Sequence, residues 1–425
     1  MTYLTAVKRL QAAPVGSNRR SPDRVSLLLR YLNVSLRGLS VVKILGESGK
    51  SACVTMLRHA LTDGGYRTGA LTTPFSHTAT ECIAVDGTPI SMDDFADAFG
   101  RVWSAMLAIR ADLEALPDYT EEEEPTDEPL RSLWAYRRQE IPFDPFSDEL
   151  LLAAAMLYFT EQGCRAVLLE IPPDERSGAY RLPLAPLLSV VTALATPEVT
   201  ARVCRRIERH SRETVSAMQD PATTRAISDR CAAINCRLSF PLKNDFYVTE
   251  LAANRMQFFY RGTEYVLNSG ALYQAHNLLT VLEALSALKR QGFAVSPETA
   301  SFQSLFTTAG LPLQFTFVSL NPTIVTDFAD TPARLTAFAE SLSYHKDVRR
   351  VTLLAEQSAS ADDALVEALA AYGITVAHVI RGETATALRT VKPIAKALSS
   401  EDTLLIVGSR PFVYEIHRAL IGLLP

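Results

Sequence analysis

The sequence has no stretch approaching the roughly eighteen uninterrupted apolar residues that a membrane-crossing helix needs, so no spanning segment and no membrane partner are expected. Its opening, MTYLTAVKRLQAAPVGSNRR, lacks an apolar core followed by a small-residue cleavage site, which argues against a secretory signal. Lysine and arginine are not gathered into a basic surface, and the net charge of -5 argues against a nucleic-acid partner. Six cysteines (Cys53, Cys82, Cys164, Cys204, Cys231 and Cys236) are scattered through apolar-patterned segments, and none forms a close Cys/His set. Even the nearest pair, Cys231 and Cys236, lacks further ligands, so buried reduced thiols are expected rather than zinc. These absences point to a soluble, cytoplasmic protein. There is also no internal repeat.

What is present is ample core-forming material: 425 residues, 48% of them hydrophobic, are too many for one ordinary core, so two or three domains are expected. The chain is organised around residues 41–52, VVKILGESGKSA. An apolar run (41–45) flows into Gly46-Glu47-Ser48-Gly49-Lys50-Ser51 and then into a helical pattern (53–61). That strand, loop and helix order suits a nucleotide phosphate site. Backbone N–H groups at a helix N-terminus point at phosphate oxygens, glycine allows close approach, Lys50 supplies a point charge, and Ser51 can hold Mg²⁺. The full eight-residue P-loop is absent, because Ile44 stands where its first glycine would be. By itself the stretch also reads as a Gly-Ser turn with a solvent lysine.

Around this centre, Ser21, Pro22 and Asp23 start a helix over 24–32 as N-cap, first helical residue and first-turn acid. After the loop helix, Gly64-Gly65-Tyr66 is a stop, and 67–71 is a second strand. His77 follows at that strand's end, where it reads as a ligand contact or, more simply, as a loop histidine. Residues 83–85 read as a strand, and Ser91 caps a helix over 93–109. The acidic insertion near 118–130, with Glu121 to Glu124 in a row, has no apolar period and reads as a solvated loop rather than a metal site. Residues 148–162 are helical, and 165–171 (RAVLLEI) is an apolar run suited to a buried parallel strand. Its one acid, Glu170, lies near the C-terminal end, where a carboxylate can serve a Mg²⁺ between nucleotide and protein. A further strand is expected at 187–194 and a basic helix at 201–216, whose five arginines read as a solvated face. A hairpin at 246–267 and a long amphipathic helix at 272–289 follow.

From about residue 314 a second α/β pattern starts: strands at 315–319 and 323–326, helix 332–343, strand 351–355, helix 361–371, strand 375–379, helix 384–398 and strand 403–407. The linker is read at 311–322. The expectation is an α/β chain with a P-loop-type, mostly parallel ATPase domain (1–310) and a smaller Rossmann-like C-terminal domain (311–425).

In order and near spacing, these pieces resemble the Mur ligase superfamily, most closely its folylpolyglutamate synthase/dihydrofolate synthase branch. The resemblance covers nearly the whole chain. It is carried by Arg24 and its helix, the loop Gly46 to Lys50, Gly64-Gly65-Tyr66, Thr73-Pro74 with Glu81, and Asp86-Gly87-Thr88-Pro89-Ile90-Ser91. Glu149 with Leu157-Tyr158-Phe159, Ala166 to Glu170, Gln274 with Asn277, and Val407-Gly408-Ser409 continue it. Such enzymes use ATP to phosphorylate a carboxylate and then let an amine, usually that of glutamate, attack the acyl phosphate. The resemblance implies a folate-like acid and glutamate as substrates, ATP and Mg²⁺ as cofactors, and a monomer. It places Lys50 on the transferred phosphate, Ser51, Thr73 and Glu170 around Mg²⁺, and Gln274 and Asn277 on the adenine. The rest of the loop, Gly46, Glu47, Ser48 and Gly49, would cradle phosphate, and Asp327 would come from the closing C-terminal domain with a catalytic role.

The departures matter as much. The family's loop threonine is Glu47, which sets a negative charge beside polyphosphate unless it turns away. Phe75 replaces a histidine, and beyond Glu170 only Arg176 falls in register. The metal-binding Asp-His is Thr196-Pro197-Glu198, the carbamylated lysine should fall near Ser211, and the interdomain arginine is missing from 310–314. The Gly-Ala-His-Asn motif survives only as Asp327-Phe328-Ala329-Asp330-Thr331. Two functions therefore stand open: an acid–amino acid ligase, and a catalytically impaired homologue that keeps nucleotide binding for an interaction or regulatory role.

Overall fold

A computed structural model describes residues 1–14, 23–72, 78–118, 125–172, 180, 182, 184–208, 211–298, 300–302, 305, 314–329, 331–357, 361–398 and 402–421. Ser21, Pro22, Thr73, His77, the 119–124 stretch, Arg176 and Asp330 lie outside them, and so do the expectations placed on them. The first unit runs α1 (Tyr3–Ala12), α2 (Asp23–Tyr31), β1 (Ser40–Leu45), α3 (Lys50–Asp63), β2 (Thr68–Leu71), β3 (Ile83–Val85), β4 (Thr88–Pro89), α4 (Met92–Ala115), α5 (Glu128–Arg137), α6 (Ser147–Glu161) and β5 (Ala166–Glu170). It continues with β6 (Leu188–Val191), α7 (Pro197–Arg206), β7 (Glu213–Ser216), α8 (Pro221–Ala233), β8 (Arg237–Ser239), β9 (Phe246–Ala252), β10 (Arg255–Tyr260), β11 (Thr263–Leu267) and α9 (Leu272–Arg290).

The sheet order is β4-β3-β2-β5-β1-β6-β7-β8, with only the β2/β3 and β3/β4 pairings antiparallel. Central β1 hydrogen-bonds to β5 on one side and β6 on the other. Alternate residues therefore enter two cores. Val41, Leu45, Val167 and Leu169 meet α2, α4 and α6, whereas Val42, Ile44, Leu168 and Val190 meet α3 and α9. Being covered on both faces explains why these strands read as unbroken apolar runs. The small sheet β11-β10-β9 leans Met256, Phe258 and Tyr260 on the same core as α9.

The second unit comprises β12 (Thr316–Leu320), β13 (Thr323–Asp327), α10 (Pro332–Ser343), β14 (Arg350–Glu356), α11 (Ala361–Ala371), β15 (Thr375–Gly382), α12 (Thr384–Ala397), β16 (Thr403–Val407) and α13 (Arg410–Ile421). Its sheet order is β12-β13-β16-β14-β15, parallel except for β12. The α/β expectation for both units holds.

One local expectation does not. The helix expected over 201–216 starts earlier and stops sooner, because Thr196 accepts the Val199 N–H as N-cap and Pro197 fills the first turn. Glu213 to Ser216 are instead a fully buried strand. Glu213 lies on this strand and is buried against Arg290, Arg237 and the Ser239 hydroxyl. The strand expected at 315–319 is β12, which pairs with β13 along the sheet edge.

Candidate functional site

The Gly46 to Ser51 loop leaves the C-terminal end of the central strand, and its two glycines are required by space. Gly46 has φ +128°, and a Cβ there would lie 2.3 Å from Thr192 Oγ1. Gly49 has φ +88°, and its Cβ would lie 2.2 Å from Asn277 Oδ1. The first bond of α3 runs from the Cys53 N–H to the Gly49 carbonyl. The N–H groups of Lys50, Ser51 and Ala52 therefore have no carbonyl within the helix to accept them, and all three residues line a cleft. An anion is favoured there by those donors and by the helix dipole.

Lys50 is buried, and its Nζ donates to the carbonyls of Gly46 (3.0 Å) and Glu47 (3.2 Å). The Ser51 hydroxyl donates to Glu170, 3.1 Å from Oε2 and 3.3 Å from Oε1. Burial raises the Glu170 pKa above the usual carboxylate range, against the pull of Lys50, Ser51, Arg334 and Arg410. Burial, with Glu170 adding to it, pushes the neighbouring Cys53 thiol up to about 12. Glu47 does turn away from the phosphate position: its Oε2 accepts the Ala195 N–H at 3.2 Å. Its own N–H and that of Ser48 donate to the Ala193 carbonyl at 3.1 and 3.2 Å, tying the loop to the end of β6.

The facing wall is α9 together with the second unit. Asn277 Nδ2 donates to Gln274 Oε1 at 3.1 Å, and Gln274 Nε2 donates to Gln314 Oε1. Asp327, at the end of β13, accepts the Tyr273 hydroxyl (2.6 Å) and the Phe315 N–H (3.1 Å) on Oδ2. Tyr273 is raised well above its ordinary pKa by burial and by Asp327. His276 is held down at about 4 by burial and by Lys243, so it is a neutral imidazole at neutral pH. Ala333, Ala337 and Glu340, spaced as one face of α10, close the cleft on that side.

The cleft thus brings together Ser48, Gly49, Lys50, Ser51, Asn277 and Asp327. Glu170 touches it through Ser51, and Gln274 through Asn277. Thr73 lies outside the described residues. Tyr273, His276, Phe328 and Arg334 also line the cleft and were not anticipated. Tyr273, His276 and Phe328 carried a signal, each sitting next to Gln274, Asn277 or Asp327 in sequence, and Arg334 carried none.

The neighbouring ends of β6 and β7 are built differently. Gln219 donates to the Thr192 carbonyl (2.9 Å) and accepts the Leu194 N–H (3.2 Å). Thr196 caps α7, and buried Ser211 shares a hydrogen bond with Ser189 (3.1 Å) and donates to the Glu213 carbonyl (3.1 Å). Among the described residues no group of three or more His, Cys, Asp or Glu side chains is placed to hold a metal.

No protein-family model matches the chain. Among curated proteins it is 27% identical over 173 residues to the dihydrofolate synthase/folylpolyglutamate synthase of Bacillus subtilis, which is 40% of this chain and 33% of that protein. It is 25% identical over 118 residues, 27% of the chain, to the folylpolyglutamate synthase of Arabidopsis thaliana. The matched stretches thus span 33% of the first relative's length and 19% of the second's. Solved structures match the whole fold. A complex of FPGS with AMPPCP and folate aligns with TM-score 0.75 at 18% identity, covering 100% of both chains. The Mycobacterium tuberculosis folylpolyglutamate synthase complexed with ADP aligns with TM-score 0.70 at 18% identity, covering 100% of this chain and 99% of that one. These findings bear out the resemblance read from the sequence and the two-part α/β architecture.

Proposed function

We propose that the chain is an ATP-dependent ligase of the folylpolyglutamate synthase branch of the Mur ligase superfamily, joining a carboxylate, folate or a related acid, to an amino acid, glutamate first, through an acyl phosphate. The observation that carries this reading is the convergence of Lys50, the hydroxyl–carboxylate pair Ser51 and Glu170, and the helix-start N–H groups at the head of one cleft. Glycine occupies both positions where a Cβ would close the cradle.

A magnesium ion suits this donor set: a buried carboxylate beside a hydroxyl leaves the remaining positions to phosphate oxygens and water. Ser51 and Glu170 would hold it, and it would offset nucleotide charge. The chain's own groups do the rest. Lys50 releases its loop carbonyls to meet the transferred phosphoryl group, the N–H groups of α3 orient the phosphates, and Gln274 and Asn277 meet the base. Asp327 comes from the second unit, whose boundary we place near residue 310. Positioning and charge neutralisation are the main catalytic contributions in such a transfer. All six cysteines are free, which fits a reducing cytoplasm, and we take the protein to act as a monomer.

A specific observation favours a second reading, a nucleotide-binding homologue that has lost turnover. Thr196 and Ser211 stand where the family resemblance expects metal-binding groups, and both hydroxyls are spent on structure. A thermal-shift titration with Mg-ATP tests the shared core of both readings. Stabilisation of about 2.7 kcal/mol is expected at a hundredfold excess over Kd, and Lys50→Ala should abolish it. No stabilisation, or a Lys50→Ala chain that behaves like the parent, sinks nucleotide binding. Glutamate-dependent ADP release with dihydropteroate or a reduced folate then separates the two readings. Turnover that falls about a hundredfold or more in Lys50→Ala supports the ligase. Binding without turnover across these acceptors supports the impaired homologue.

A further inference from the structure

Cys231 and Cys236, the nearest pair of thiols in the sequence, take no part in the chemistry of the cleft. The helix α8 ends around them in a defined turn. The Asn235 N–H donates to the Ala232 carbonyl (3.1 Å), the Cys236 N–H donates to the Cys231 carbonyl (2.9 Å), and Asn235 has φ +54°. That pair of bonds about a left-handed residue folds the chain back over the last helical turn, so that the side chain leaving the turn meets the one five positions before it. Here both are cysteine. The turn supplies the face-to-face Cβ approach that a disulfide requires.

Cys231 is 2% exposed and Cys236 7%, both in the core that holds Val203 and Ile227. The Cys236 sulfur lies 3.3 Å from the Thr214 hydroxyl of β7 and donates to the Arg237 carbonyl at 3.6 Å. Hydrogen bonding from Cys231, and then from Thr214, draws the Cys236 thiol below its ordinary pKa in spite of burial. The contact with Cys236, and burial after it, push Cys231 up. Burial also raises Cys53, Cys82, Cys164 and Cys204. Thiols attack oxidants as thiolates, so the six are unequal, and Cys236 is the one drawn toward the reactive form.

We propose that Cys231 and Cys236 form an oxidative modification site, a dithiol that a peroxide closes to a disulfide and a small-molecule thiol reopens. It stands apart from the ligase reading. In the first step the Cys236 sulfur bonds to one peroxide oxygen, the O–O bond breaks, and the leaving hydroxide takes up the thiol's proton as water. In the second the Cys231 sulfur attacks the sulfenic acid, the S–O bond breaks, and a second water carries off the Cys231 proton. The two sulfurs together lose two electrons to the peroxide. On reopening, two small thiols return the electrons and protons and leave as their own disulfide. Cys231 thereby keeps Cys236 from the irreversible sulfinic and sulfonic acids.

Peptide mass mapping of the folded full-length chain after hydrogen peroxide, followed by unfolding and alkylation, tests the site. Arg230 and Arg237 flank the pair, so trypsin releases both cysteines in the single peptide 231–237. That peptide should escape alkylation, two hydrogens lighter, at least about tenfold faster than the remaining thiols are lost. Dithiothreitol should restore it. Cys231→Ser should instead accumulate sulfenic and then sulfinic acid at Cys236, and Cys236→Ser should slow oxidation at position 231 at least about tenfold. Thr214→Val keeps both cysteines and removes one hydrogen bond to Cys236, so it should slow closure with the same product. Equal loss of all six thiols, or a peptide 231–237 that stays alkylatable, overturns the site. So does a Cys231→Ser chain whose Cys236 resists peroxide, or a urea-unfolded chain that closes the pair with the same preference as the folded one.

Discussion

The two walls that meet at the end of the central sheet use similar residue types for opposite ends. On the Gly46 to Ser51 wall, Lys50 and Ser51 line the cleft and bond to their own loop carbonyls and to Glu170, and the loop's one acid, Glu47, is tied back to the Ala195 N–H. On the wall formed by the ends of β6 and β7, Thr196, Ser211 and Gln219 spend their hydrogen bonds on caps, neighbouring hydroxyls and loop backbone. A hydroxyl or amide near a cleft is therefore not yet a ligand. What decides is whether its partners sit at the head of the cleft, as Glu170 does for Ser51, or in a cap and a neighbouring strand, as for Thr196 and Ser211.

Substitutions can break or sharpen that contrast. The largest effect belongs to Gly49→Ala on the open wall, expected to cost about 2–3 kcal/mol in urea unfolding, from left-handed backbone strain plus collision with Asn277. Adding Asn277→Ala should recover the collision part and leave the strain. If the single variant is as stable as the parent, the loop is not held as described. On the closed wall, Thr196→Ala should cost about 1 kcal/mol through loss of the cap of α7, with nucleotide affinity unchanged. A weakened affinity would mean that this wall does take part in binding.

The smallest effect concerns a buried acid away from both walls. Glu149 accepts the Phe146 N–H at 2.8 Å and lies 3.5 Å from Arg24 Nη1, yet burial pushes its carboxyl up to about 7. The folded chain therefore binds this proton more tightly than the unfolded chain. Its contribution to stability is complete below the ordinary carboxylate pKa and is lost as pH rises to about 7. Glu149→Gln should flatten the stability profile between pH 5 and 8 relative to the parent, measured by urea unfolding at both values. Parallel profiles would show that Glu149 ionises freely in the fold.

The strands of the first sheet were legible because β1, β5 and β6 are covered on both faces and so read as apolar runs. The loop was legible because its chemistry is local. β7 was not, because the partners that make Glu213 tolerable in the interior come from α9 and β8. Asp327, Gln274 and Asn277 could be named from motif register, but Arg334 could not, because its place in the cleft depends on how the second unit meets the first.

The amides of Asn277, Gln274 and Gln314 form a row with a direction. The NH₂ groups of Asn277 and Gln274 both point away from the loop toward the second unit, and Asn277 turns its carbonyl oxygen to Gly49. An amide cannot reverse alone in such a row without setting donor against donor or oxygen against oxygen. The connection between the two units therefore helps decide which hydrogen-bonding edge the loop meets. A Gln314→Glu chain, accepting at both oxygens, would lock the present direction, whereas a lysine there would oppose it. Base preference in this cleft would then be set partly from the far end of the row, by a residue that need never touch the base.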